Sequence, residues 1–82
     1  MMYKNKAADG RNNLCGKRIK QFREALSSAP SQKQLADLLQ LEGLDVDKNA
    51  VQRMESGQRF VTDIELKVLA KVLGVSYEDL LD

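Results

Sequence analysis

Eighty-two residues with a formal net charge of +1 make one small domain, close to the size at which a single core barely suffices. Apolar residues are 43% and charged residues 30%, which excludes wholesale disorder, and no apolar run nears the roughly 18 residues of a membrane span. With no histidine and one cysteine, an internal disulfide and a zinc site are excluded as well.

Residues 1–13 are polar, carry Lys4, Lys6 and Arg11, and are interrupted by Asp9-Gly10 and Asn12-Asn13. That pattern predicts a flexible N-terminal tail ahead of a folded domain over residues 14–82. No apolar segment of the secretory kind appears in it, so the expected location is the cytoplasm.

Cys15, Ile19, Phe22 and Leu26 recur at helical spacing and predict a first helix over residues 14–26, with Asn13 available as its N-cap. A thiol on that stripe is expected to be buried and unreactive. Ser27-Ser28-Ala29-Pro30 stops the helix, because proline steers the residue before it out of helical geometry. Ser31 and Gln34 then form a capping box for a second helix, which buries Leu35, Ala36, Leu38 and Leu39 and ends near Gln40.

Residues 41–47 follow as a long acidic connector holding Glu42, Asp45 and Asp47. Asp47 caps a third helix running from Lys48 to about Glu55, with Val46 and Val51 placed as a hydrophobic staple. Val51 and Met54 face inward on it, and Gly57 suits its C-terminal end. Thr62 with Glu65 opens a fourth helix whose apolar face is Leu66, Leu69, Ala70 and Leu73, closed by Gly74. Ser76 begins a last short helix that carries Leu80 and Leu81. The fold class is therefore all-α, with five helices.

Charge is distributed unevenly along this pattern. Residues 14–33 hold Lys17, Arg18, Lys20, Arg23 and Lys33 against Glu24 alone, whereas residues 34–47 hold acids and no base. Residues 48–59 are basic again and residues 60–82 acidic, so one side of the domain suits a polyanion. The third helix is the informative one. Lys48, Asn49, Gln52 and Arg53 share its side opposite Val51 and Met54. Asparagine and glutamine pair with adenine in the major groove, and lysine and arginine reach guanine. Helices two and three would then form a helix-turn-helix. An enzyme is not expected, because the chain lacks a metal cluster, a phosphate-cradling loop and a nucleophile paired with a base. No cofactor is implied. The rival reading is a helical protein-interaction module, against which the polar third-helix face counts, since such surfaces usually bring apolar anchors.

The pattern resembles the phage-repressor and Cro-like helix-turn-helix family, the XRE-type regulators. The resemblance rests on Arg18-Ile19 and Phe22-Arg23-Glu24, on Ser31-Gln32 with Leu35-Ala36, and on Val51, Arg53, Met54, Glu55 and Gly57. Leu66, Leu69, Ala70, Leu73-Gly74-Val75-Ser76 and Leu80-Leu81 complete it. It implies a lambda-repressor-like domain binding double-stranded DNA, as a small bacterial or phage regulator and foremost a repressor. An antitoxin that binds its own operator shares the same residues. By the same resemblance, Lys48, Asn49, Gln52 and Arg53 would face bases. Gln32 would touch a phosphate and brace the third helix, with Lys33, Gln58 and Arg59 as further phosphate candidates. Arg23 and Glu55 would form an ion pair bridging the first and third helices. A homodimer is expected, with Tyr77, Leu80 and Leu81 of the last helix as its contact. The chain departs from the family in two longer loops, at residues 27–30 and 41–47. Both are cheap in closure entropy, but the second sets acids beside the DNA-facing side.

Overall fold

Capping and apolar spacing produce α1 (Gly16–Ala25), α2 (Gln32–Leu41), α3 (Lys48–Ser56), α4 (Asp63–Leu73) and α5 (Tyr77–Leu81) in the computed structural model, which describes residues 10–81. No strand occurs among these residues, and no helix is long and apolar enough to cross a membrane. The all-α expectation is met.

The local signals act as their chemistry requires. The Ser31 hydroxyl accepts the Gln34 N–H while the Gln34 side chain accepts the Ser31 N–H, and Thr62 and Glu65 repeat the exchange at α4. The Asp47 carboxylate accepts the Ala50 N–H at 2.8 Å to start α3. Gly57 ends α3 at φ +82°, in the left-handed region where a Cβ is penalised. The first helix is shorter than its apolar stripe suggests. Asn13 Oδ1 accepts the Gly16 N–H at 2.7 Å and sets the start there, and extended backbone at Leu26 ends it.

The core gathers Ile19 of α1, Leu35 and Leu39 of α2, Val51 and Met54 of α3, Leu69 of α4 and Leu80 of α5, all fully buried. α3 packs against both α1 and α2, while α4 and α5 close the far side. α1 and α3 approach so closely that a Cβ on Gly16 would lie 2.2 Å from the Met54 carbonyl oxygen. The first helix therefore begins on a residue without a side chain.

Two expectations are corrected. Leu80 is unavailable for a dimer contact, because its side chain is wholly inside the protomer's core, whereas Tyr77 is about half exposed. Residues 1–9 of the expected tail lie outside the described residues, but Arg11, Asn12 and Asn13 are bonded into the domain, and Asn13 is fully buried. An asparagine reads as a chain breaker in sequence; here its amide is held by backbone from another part of the chain.

Cys15 is buried, and that burial pushes its thiol from the usual 9.0 up to about 11. The unfolded chain ionises first, so this group's contribution to stability falls as pH rises from about 9 towards 11. Cys15→Ala should flatten that part of the stability–pH curve in urea titrations. Native protein at pH 8 should resist thiol reagents that label it fully in denaturant.

Candidate nucleic-acid interface

α3 turns Ala50, Val51, Met54 and Glu55 inward, and its helical period leaves Lys48, Asn49, Gln52 and Arg53 exposed. No hydrogen bond or ion pair ties the side chains of these four to another described residue. Two amides and two cations thus project from one side of a nine-residue helix.

The opposite side is clamped. Arg23 of α1 meets Glu55 bidentately, Nε to Oε2 at 2.7 Å and Nη2 to Oε1 at 3.0 Å. Gln32 Nε2, from the first turn of α2, donates to the same Glu55 Oε1 at 3.0 Å. Arg23 Nη1 also donates to the Pro30 carbonyl at 3.0 Å, which ties down the loop between α1 and α2. The side chains of Arg23 and Glu55 are only 10% and 3% exposed. Their short hydrogen bonds hold the guanidinium even more firmly protonated than usual. One carboxylate therefore fixes α3 against α1 and against the N-terminal end of α2.

On the α2 side, Gln32 spends one amide proton on Glu55 and keeps a second donor and its oxygen. Lys33 pairs with Asp37 at 3.1 Å, an exposed i,i+4 contact of the kind that contributes little and yields readily to another partner. Lys33 and Lys48 line one shallow cleft between α2 and the start of α3. Gln58 is exposed beyond the other end of α3, where its N–H donates to the Arg53 carbonyl at 2.9 Å. Arg59, the remaining phosphate candidate, is paired with α4. Its Nη1 donates to Glu65 Oε2 at 2.8 Å, and the side chain is 31% exposed. That bond uses one guanidinium nitrogen at the start of α4 and leaves other donors on a partly exposed side chain.

A family model described as helix-turn-helix matches residues 19–80, which span α2 and α3 with the clamp and the exposed quartet. The chain belongs to the XRE-type, lambda-repressor-like helix-turn-helix family. It is in that general sense a DNA-binding regulator. No curated protein and no solved structure matches it.

For a helix-turn-helix protein the acidic connector raises the question of repulsion, and the structure disposes of two of its three acids. Glu42 pairs with Lys71 of α4 at 2.6 Å, and Asp47 is occupied in capping α3. The connector is also anchored. Gln40 Nε2 donates to the Val46 carbonyl at 2.7 Å, the Leu44 N–H donates to the Leu39 carbonyl at 3.1 Å, and Val46 is buried. Asp45 remains exposed.

Sequence reasoning missed the residues that hold the far end of α3. Arg11 Nη2 donates to the Glu55 carbonyl at 2.6 Å, Asn12 N–H to the Gly57 carbonyl at 2.8 Å, and Asn13 Nδ2 to the Met54 carbonyl at 3.0 Å. No local signal announces these bonds, since each partner lies more than 40 residues further along the chain.

Removing Glu55 would leave a buried guanidinium unpaired. Glu55→Ala should cost about 3–5 kcal/mol in urea unfolding, as breaking one side of a buried pair does. Glu55→Gln, which keeps an acceptor for Arg23, should cost less. Melting of Glu55→Ala indistinguishable from the parent would show that the clamp does not hold the helices.

Proposed function

We propose that this protein binds double-stranded DNA sequence-specifically, as a small transcriptional repressor with α3 in the major groove. The carrying observation is the contrast between the two sides of α3. Its inner side is fixed by the Arg23–Glu55–Gln32 clamp, and its outer side presents four exposed side chains with no partner among the described residues. Pre-set orientation of that kind is what base readout needs, since bidentate hydrogen bonds tolerate little misplacement. Asn49 and Gln52 have the donor–acceptor pair that adenine takes, and Lys48 and Arg53 have the donors that guanine takes. Gln32 and Lys33 at the start of α2, with Gln58 after α3, supply backbone contacts that set register. Arg59 acts in this reading as a brace for the turn that carries Gln58.

One such unit grips few base pairs, and a two-fold pair of units would read a palindromic site. The surface that suits pairing is the apolar groove between α4 and α5, lined by Ile64, Leu66, Tyr77 and Leu81. Ile64 is 67% exposed and Tyr77 48%, which is costly for large apolar side chains left in water.

Selection of bound duplexes from random DNA should enrich one short palindrome. Gln52→Ala should then relax a single base position by about 1–3 kcal/mol, while Lys33→Ala should weaken every sequence alike and reduce the salt slope by about one. An unenriched pool with no salt dependence would instead favour a protein-interaction module. Ile64→Glu should leave the fold intact, abolish the dimer in sedimentation equilibrium and weaken binding to the full palindrome far more than to a half-site. A protein that stays monomeric on the palindrome would remove the dimer.

A further inference from the structure

Arg11, Asn12 and Asn13 precede every helix among the described residues and the family match, yet together they hold the last turn of α3 and the turn after it. Asn13 Nδ2 donates to the carbonyls of Met54 at 3.0 Å and Arg59 at 2.7 Å. Arg11 Nη2 reaches the Glu55 carbonyl at 2.6 Å. Asn12 supplies its backbone N–H to Gly57 at 2.8 Å and its Nδ2 to the Gln58 carbonyl at 3.0 Å. A helix leaves its last carbonyls without partners inside the helix, and here a remote strap of chain supplies donors to those of Met54 and Glu55. The strap is itself oriented. Asn13 is fully buried, and its Oδ1 is fixed by the Gly16 N–H at the start of α1. The Arg11 guanidinium lies so close to Gly57 that a Cβ there would be 2.6 Å from its Cζ and Nε.

We propose that Arg11 and Asn13 are positioning residues for DNA recognition: by bonding the carbonyls of Met54, Glu55 and Arg59 they fix the angle of the C-terminal half of α3, and hence where Arg53 and Gln58 meet the duplex. The inference rests on the DNA-binding reading above. Its physical basis is leverage. α3 is about 13 Å long at 1.5 Å per residue, so a small tilt at one end displaces a side-chain tip by an ångström or more. Buried Val46 and Val51 and the Asp47 cap hold the near end of α3, while the clamp and the strap hold its last turn, one through the Glu55 side chain and the other through the backbone. Two points determine a tilt where one does not. Gln58, the phosphate candidate beyond α3, has its own carbonyl held by Asn12, so the strap sets that turn too.

Fluorescence anisotropy on the selected palindrome and on a scrambled duplex, across salt concentrations, tests this on the full chain. Arg11→Ala and Asn13→Asp should each weaken the palindrome at least tenfold, leave the scrambled duplex within twofold, and leave the salt slope unchanged. Asn13→Asp keeps the oxygen that meets Gly16 but turns an acceptor towards two carbonyls. Should that variant fail to fold, Arg11→Ala, at a partly buried position, decides alone. Equal losses on both duplexes with a slope lower by about one would make Arg11 a phosphate contact and overturn the proposal. So would a loss no larger than the unfolded fraction measured by thermal melting, or binding within twofold of the parent. A parent protein that enriches no duplex would remove the DNA-binding reading, and this inference with it, before any variant is made.

Discussion

A carboxylate brought inside a small helical domain must find donors or lose its charge, and Glu55 finds three on two other helices. Burying an ion is expensive, and the Coulombic gain of a pair roughly offsets that cost only when geometry is good and the remaining lone pairs are filled. Here the fork of Arg23 meets the carboxylate squarely and Gln32 fills a further acceptor site. The interaction adds little net stability over an apolar substitute of the same shape. Its demand is geometric, because Arg23 of α1 and Gln32 of α2 must both reach the one carboxylate of α3. Apolar packing of Ile19, Leu35 and Met54 supplies the driving force, and the clamp joins the three helices that those side chains bring together.

The fold was legible because its signals are local. Ser31 with Gln34, Thr62 with Glu65 and Asp47 with Ala50 each lie within one turn, and their caps form as the residue types dictate. Exposure of Lys48, Asn49, Gln52 and Arg53 follows from the spacing of Val51 and Met54, since a nine-residue helix has one inner side. What was not legible lies in contacts between distant parts of the chain. Asn13 carries the same amide in a tail as in a core, and only the approach of α3 distinguishes them. Leu80 and Leu81 are adjacent in a five-residue helix, too short to show which is inside. The pairing of Arg59 with Glu65, six residues on, depends on the turn between them.

The long connector between α2 and α3 shows how length is absorbed without loss of position. Its extra residues are not slack. Leu44 packs against the core, Val46 is buried, and the bonds from Gln40 and Leu44 pin its two ends together. Its charge is handled the same way, with Glu42 drawn to Lys71 on the far helix and Asp47 turned onto backbone. A loop treated so delivers α3 in a defined place, which is why a departure in length does not become a departure in fold.

Division of labour on α3 also governs how such a protein diversifies. Among the described residues, the side chains that support the helix are on its inner side or beyond its ends, and none of them bonds the side chain of Lys48, Asn49, Gln52 or Arg53. Exchange at those four positions therefore falls among the surface changes that shift stability by about half a kcal/mol or less. On the DNA-binding reading proposed above, a lineage carrying this scaffold can change its target without changing its fold, because the two are written in separate residues.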